Sequence, residues 1–467
     1  MKRELTILTL AFVVSLPLVT PRIYASDEVQ YFSYLRSLWF DRDVSFENEY
    51  RHFYDTGVTQ YPGFHETFLE RETETGRRIS FATIGSALLW SPFYAVADAA
   101  VRTGIAGDVP RDGFSRPYVA AVAFGSAFYG WLAVVIGWAM ARRLGWSRGA
   151  LAAALAVWVG TPIFFYMYIA PPMSHGCSAF AVASFLAVWL LVRERWSAGG
   201  AMALGALAAL MGMVREQDLF VAAGPAIDWG WQLWRAGRGR DAVTARRLVV
   251  AAVAGGIAFT IAYLPQLWAY LVLNGYPGPS RLVARKMNWL APHALGVLAS
   301  PQHGLLFWTP LVLLPLAGLI LAAARERTRR GSELAIVALA LLAVIAVQVY
   351  VAGSVESWTV AGAFGQRRFV GLSAVFIVGL AALASTASTS RARATAFAIA
   401  VALCVWWNVG LMAQFGSGLM DRQRLEIGRN AYHTFVTVPS RLPDLAYRYL
   451  FRRSSFYQTD VRPGTAR

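Results

Sequence analysis

Long apolar runs bordered by charged residues or by Gly and Pro recur along the whole sequence. Their length and content predict membrane-spanning helices rather than strands. The first covers residues 5–19. Further candidate spans cover 117–141, 149–169, 178–192, 201–214, 218–234, 248–273, 304–324, 333–352, 368–387 and 394–413. The expected fold is therefore an all-α polytopic membrane protein with about eleven spans. Several runs are short for a hydrocarbon core of about 30 Å and draw on neighbouring aromatics to complete a crossing.

The segment 79–101, ISFATIGSALLWSPFYAVADAAV, decides the topology. If it crosses, the basic stretches 142–148, 193–195, 235–247, 325–330 and 391–393 all face outward, against the tendency of Lys and Arg to stay in the cytoplasm. If it lies in the interface or dips in and returns, every one of them faces the cytoplasm. Its internal Pro92, Asp98 and serines are then also easier to accommodate. The second arrangement is expected. It leaves a first outer loop at 22–116, outer segments near 170–177, 215–217, 274–303 and 353–367, and an outer tail from 414 to 467. The span-bearing domain is read as 1–413.

Composition agrees with this class. The chain is 57 % hydrophobic and 15 % charged, with a mean hydropathy of +0.45, beyond an ordinary soluble domain. A net charge of +16 would otherwise suggest a nucleic-acid partner. Here the arginines fall largely in short loops between apolar runs, so membrane orientation accounts for them and no nucleic-acid partner is expected. Cys177 and Cys404 lie in or beside apolar runs without metal-ligand spacing to His and are read as packing residues. Residues 1–25 resemble a signal peptide in outline, but Ile at the −3 position makes a poor cleavage site. Either way the chain delivers Asp27 to the outer face, because Lys2 and Arg3 hold the N-terminus inside.

Candidate chemistry begins at 21–55, where acids and aromatics arrive together. Residues 20–27 reach at most roughly 25 Å when extended, so Asp27 stays near the headgroup phosphates. Asp27 and Glu28 are either helix-capping acids, stabilised by the dipole of the helix that follows, or reactive carboxylates. Capping explains one acid better than the cluster that continues through Asp41, Asp43, Glu47, Glu49 and Asp55.

No dinucleotide fingerprint, P-loop, HExxH or Gly-x-Ser-x-Gly elbow is present. A short first span followed at once by Asp-Glu and an aromatic helix, then a first outer loop with a Pro-containing amphipathic segment, then about a dozen spans, resembles the C-type membrane glycosyltransferases (GT-C). The pattern is most similar to their protein mannosyltransferase and aminoarabinose transferase branch, over most of 1–413. The resemblance implies that Asp27 matches the first-loop acid of the family, with Glu28 beside it. It also implies a second acid after the third span, but the corresponding stretch APPMSHGCSAF carries His175 there, as a hydrogen-bonding partner, a base or a packing residue. A basic residue before the interfacial segment is matched by Arg77 and Arg78, read as donor-phosphate contacts or as snorkelling anchors.

Two later outer stretches point the same way without the family. In 353–369, GSVESWTVAGAFGQRRF, Glu356 and Trp358 precede the pair Arg367-Arg368, whose forks suit phosphate oxygens, with Gly residues that permit close backbone approach; anchoring is the alternative. In 274–309, Arg285 and Lys286 are candidates to face an anionic group, Trp289 to stack on a sugar or lipid, and His303 to sit near the bilayer surface. MVREQD at 213–218 adds Arg215 and Glu216 at another outer edge, with pairing to each other as the plain alternative.

The expected activity is transfer of a sugar from a polyprenyl-phosphate donor to a glycan, lipid or protein acceptor on the outer face of the inner (plasma) membrane. Asp27 is the expected base and Glu28 its support. Arg367, Arg368, Arg78, Arg285 and Lys286 are expected on the donor phosphate, and His175, Glu356, Trp358 and His303 on substrate. No cofactor is required by the motifs. A divalent ion such as Mg or Mn is an option that no ligand spacing establishes. A lipid-linked glycan transporter would need ionisable groups deep in several spans, which are nearly absent. A polysaccharide polymerase or ligase would carry its catalytic loop late in the chain, whereas the acid-rich loop here is first.

Overall fold

The computed structural model describes residues 1–324 and 329–456. The longer helices, in chain order, are α1 (Lys2–Ser15), α2 (Ser26–Arg36), α3 (Glu47–Asp55), α4 (Gly85–Arg102) and α5 (Arg116–Arg143). Then come α6 (Ser147–Gly160), α7 (Ile163–Tyr168), α8 (His175–Val192), α9 (Ala198–Val214), α10 (Ala223–Arg238) and α11 (Ala242–Asn274). The last are α12 (Leu313–Ala323), α13 (Arg329–Ser354), α14 (Ser373–Ala387), α15 (Arg391–Ser417) and α16 (Val438–Phe451). Among the described residues there is no strand, only two isolated bridges.

Each predicted span coincides with a helix or a consecutive pair of helices, and the protein is an all-α, multi-pass membrane protein. Six helices, Arg116–Arg143, His175–Val192, Ala242–Asn274, Glu333–Ser354, Arg367–Ala387 and Arg391–Ser417, are long and apolar enough to cross a bilayer by length and composition. Ser147–Gly160, Ala198–Val214 and Pro310–Ala323 are shorter apolar helices. Sequence punctuation sets the ends. Gly275 and Gly418 close α11 and α15 with φ of 77° and 71°, a left-handed turn that glycine adopts without a Cβ clash. Small residues set the spacing inside: a Cβ on Gly318 would stand 1.9 Å from the carbonyl oxygen of Gly379, so α12 and α14 touch backbone to backbone.

Side-chain pairs sort the loops onto two faces. Glu4 accepts from Arg142 at 2.6 Å and from Trp138 Nε1 at 3.0 Å, and Arg143 pairs with Glu194 at 2.5 Å. Gly149 packs against Ala384 near the end of α14. The chain start and the basic stretches at 142–148, 193–195 and 391–393 therefore share one face. Asp27 lies at the opposite face, together with Arg367. Between Glu4 and Arg142 the chain leaves that first face once, through α1 and the extended residues after it, and returns once.

The return is α5, and α4 folds back beside it. It runs antiparallel along the first half of α5, with Trp90 Nε1 donating to Ser126 Oγ at 2.8 Å and Tyr118 donating to Asp98 at 2.8 Å. Asp98 is buried and also binds Arg102 at 2.7 Å, Arg111 at 3.0 Å and Trp39 at 3.2 Å. Within the segment 79–101 the helix begins at Gly85 and is folded back beside the Asp27 face.

The rest of residues 22–116 is an aromatic-packed layer, with Tyr50 edge-on to Phe64 and Phe68 and Phe32 edge-on to Phe53. This layer corrects the reading of the acid cluster as a unit. Arg36 pairs with Glu49 at 2.9 Å and contacts Asp41, Glu47 is taken by Arg51 and Arg78, and Asp43 accepts from Ser37 at 2.6 Å. These acids hold the loop together. Of the basic stretch 325–330 and the tail 414–467, residues 325–328 and 457–467 lie outside the described residues.

Candidate active site

The site is built where α2 begins. Residues 19–25 run extended from α1, and Ala25, at φ −120° and ψ 149°, is the N-cap. Asp27 and Glu28 then occupy the second and third helical positions. Glu28 is fully buried and turns back, its Oε2 accepting the backbone N–H of Tyr24 at 2.7 Å and of Ala25 at 3.2 Å. Those are donors the helix itself cannot satisfy. Burial outweighs both bonds and pushes the Glu28 carboxyl up to about 8. Asp27 caps nothing. Its side chain is 41 % exposed, and its Oδ2 lies 2.8 Å from Nη1 of Arg367.

Arg367 is delivered by the glycines before it. Gly365 has φ 61°, and a Cβ there would stand 2.8 Å from Pro162. Gln366 is fully buried, its Nε2 donating to the carbonyls of His303 at 3.3 Å and Trp358 at 3.2 Å, which pins the backbone directly before the arginine. Arg368 donates to the Ser357 carbonyl at 2.9 Å and its Oγ at 3.2 Å.

Arg215 completes the cluster. Its Nη1 contacts Nδ1 of the buried His175. A guanidinium only donates, so this contact assigns Nδ1 as the acceptor and the ring proton to Nε2. With its amide turned to accept, Gln217 receives Arg215 Nε at 3.0 Å. The ring of Tyr166 lies 4.3 Å from that of His175, and the charges of Arg215, Arg367 and Arg368 all act on the imidazole. Neither Arg215 nor Arg368 has an ion-pair partner among the described residues. Three guanidiniums thus stand around Asp27, with the buried Asp218, bonded to Ser178 at 2.5 Å, also in the field of Arg215, and the net positive charge suits an anion.

The remaining candidates are placed as follows. Arg78 is engaged by Glu47 and by Glu72 at 3.4 Å within the first loop, and Arg77 donates to the Val272 carbonyl at 2.7 Å. Arg285 is exposed, and Lys286 sits over the Phe81 ring at 5.1 Å. Glu356 is exposed, while Trp358 stacks on His293 with centroids 5.4 Å apart. His303 is wholly buried at φ 61°, stacked on Trp308 at 4.5 Å, and backs Gln366 from inside the core; burial lowers its pKa to about 4. Trp289 packs against Phe220 and Tyr350.

Arg215 and Glu216 do not pair with each other, because Arg215 turns to His175 while Glu216 takes the Tyr270 hydroxyl. The sequence reading also passed over Tyr31. One helical turn after Asp27, it lies half-buried beside Ser174, within the fields of Arg215, Asp27 and Arg367. Its i+4 spacing from Asp27 was the available signal.

Among the described residues no group of three or more His, Cys, Asp or Glu stands together as a metal cradle. Asp27, already ion-paired and ringed by arginines, does not fit a divalent cation.

No family model matches the sequence, and no curated protein matches it by sequence. Structure does find a likeness. The chain superposes on the crystal structure of ArnT from Cupriavidus metallidurans bound to undecaprenyl phosphate, with a TM-score of 0.54 over 97 % of this chain and 72 % of that one, at 16 % identity. The two proteins share a fold.

Proposed function

We propose that this protein transfers a sugar from a polyprenyl-phosphate carrier to an acceptor hydroxyl on the outer face of the cytoplasmic membrane. The observation that carries the proposal is the Asp27–Arg367 pair at 2.8 Å, flanked by Arg215 and Arg368, at one end of the helix bundle. The face follows from the arginines, because the basic stretches gather with Glu4 on the opposite face and such loops stay in the cytoplasm. The undecaprenyl phosphate bound to ArnT of the same fold supports the carrier class.

In this reading Asp27 accepts the proton of the acceptor hydroxyl as its oxygen bonds to the anomeric carbon. The bond from that carbon to the phosphate oxygen breaks, its electron pair leaves on the polyprenyl phosphate, and the anomeric centre inverts. Negative charge grows on the departing oxygen. Arg215, Arg368 and the N–H groups of Arg367 not used by Asp27 face that charge, and preorganised donors stabilise it more than they stabilise the ground state. His175, held neutral by its bond to Arg215, positions that guanidinium without opposing its charge.

Native mass spectrometry of the detergent-purified protein tests the carrier. A mass addition equal to a polyprenyl phosphate is expected, and it should be lost in Arg215→Ala. A bound diphosphate-linked glycan, or none in either protein, would overturn the assignment.

A further inference from the structure

The segment that carries the chain from α1 to Asp27 contains Pro17 and Pro21, runs extended from Val19, and leaves three successive carbonyls without helical partners. All three are satisfied by the far end of the chain. Arg453 Nη2 donates to the Pro17 carbonyl at 2.8 Å, the Tyr449 hydroxyl to the Leu18 carbonyl at 2.9 Å, and Arg453 Nη1 to the Val19 carbonyl at 2.7 Å. Arg453 also reaches Thr20 Oγ1 at 3.4 Å, and its Nε donates to the Tyr449 carbonyl at 2.9 Å. Its guanidinium lies 4.5 Å from the centre of the Tyr449 ring, so the two side chains form one clamp.

On the other side of the same segment, Thr20 N–H donates to the Tyr168 carbonyl at 2.8 Å, and Ser15 shares a hydrogen bond with the Tyr168 hydroxyl at 2.6 Å. The strap to Asp27 is therefore gripped between α7 and the end of α16. Val19, Thr20 and Ile23 are buried by this grip.

We propose that Arg453 and Tyr449 are positioning residues: the C-terminal tail latches residues 17–20 and thereby sets where α2 presents Asp27 against Arg367. The consequence for catalysis rests on the function proposed above, whereas the consequence for geometry does not. A charged donor on a backbone carbonyl is among the stronger hydrogen bonds, and Arg453 makes two of them on the strap. With both removed, Pro17, Leu18 and Val19 regain freedom a few residues upstream of the carboxylate. Misplacement of a reacting group by an ångström is enough to slow a step severely.

The test uses the full chain in nanodiscs, with Arg453→Ala, Arg453→Lys and Tyr449→Phe. Spin labels at Ser26→Cys and Gln302→Cys, in a background without Cys177 and Cys404, report the distance from the start of α2 to the loop beside Gln366. Arg453→Ala should broaden or shift that distance distribution and lower the transfer rate by ~10- to ~100-fold with the donor KM little changed. Arg453→Lys and Tyr449→Phe, each keeping part of the clamp, should fall between. An unaltered distance distribution in Arg453→Ala overturns the latch, whatever happens to activity. A shifted distribution with an unaltered transfer rate overturns its role in positioning Asp27. If Arg453→Ala does not fold, the two milder variants carry the same readings. If no transfer is found even in the unmodified protein, the proposed activity fails while the distance measurement still decides the latch.

Discussion

Asp27 and Glu28 are adjacent in sequence and opposite in environment: one meets Arg367 at 2.8 Å with its side chain 41 % exposed, the other is buried against its own backbone. Capping falls to Glu28, which accepts the N–H groups of Tyr24 and Ala25, and not to Asp27. Asp27→Asn keeps size and hydrogen-bonding capacity but removes the charge, so transfer should be abolished with the melting temperature within a few degrees of the parent. Wild-type turnover in purified Asp27→Asn would end its assignment as the base.

Glu28 carries a stability prediction with a definite sign. Burial raises its pKa from 4.5 to about 8 in the fold, so between those values the unfolded chain is ionised while the folded protein keeps the proton. The unfolded state then binds fewer protons, and stability falls as pH rises through that window. The melting temperature should decline from about pH 5 to about pH 8, and Glu28→Gln should flatten the decline. A slope identical in parent and variant would assign the pH dependence elsewhere.

The arginine cluster is tested by donor use. Arg367→Ala should weaken it at unchanged expression and also release Asp27, so kcat and donor KM should both suffer. Arg367→Lys should recover part of the loss, since an ammonium keeps the charge without the planar fork. Arg215→Ala should raise the donor KM, and it leaves His175 Nδ1 without its donor. Donor affinity equal to the parent in all three variants would reduce the cluster to membrane anchoring.

Cysteine labelling checks the hairpin of α4 on α5. In a background without Cys177 and Cys404, Arg116→Cys should react with an impermeant reagent from outside and Ser147→Cys only from the cytoplasm. The opposite pattern would invert every later loop.

Much of the membrane architecture was legible in the sequence because hydropathy is local. An apolar run is a helix in the bilayer whatever its neighbours are, since its backbone has no other way to satisfy its hydrogen bonds. The same logic, with arginine bias added, reads 79–101 as a segment that does not cross; the structure adds that α4 packs antiparallel beside α5. Asp27 and Arg367 were singled out by chemistry and by the glycines before the arginine.

Contact between them was beyond reach, because it depends on how α2 and the start of α14 meet after many intervening helices have packed. Roles that turn on direction were equally hidden. A helix rotates about 100° per residue, so the entry angle of the strap decides which of Asp27 and Glu28 faces the arginines and which faces inward. The acids at 41–49 looked like one reactive cluster until tertiary structure supplied Arg36, Arg51 and Arg78 as their partners. Composition named the charges, whereas only packing chose which stayed paired within the loop and which gathered around Asp27 and Arg367.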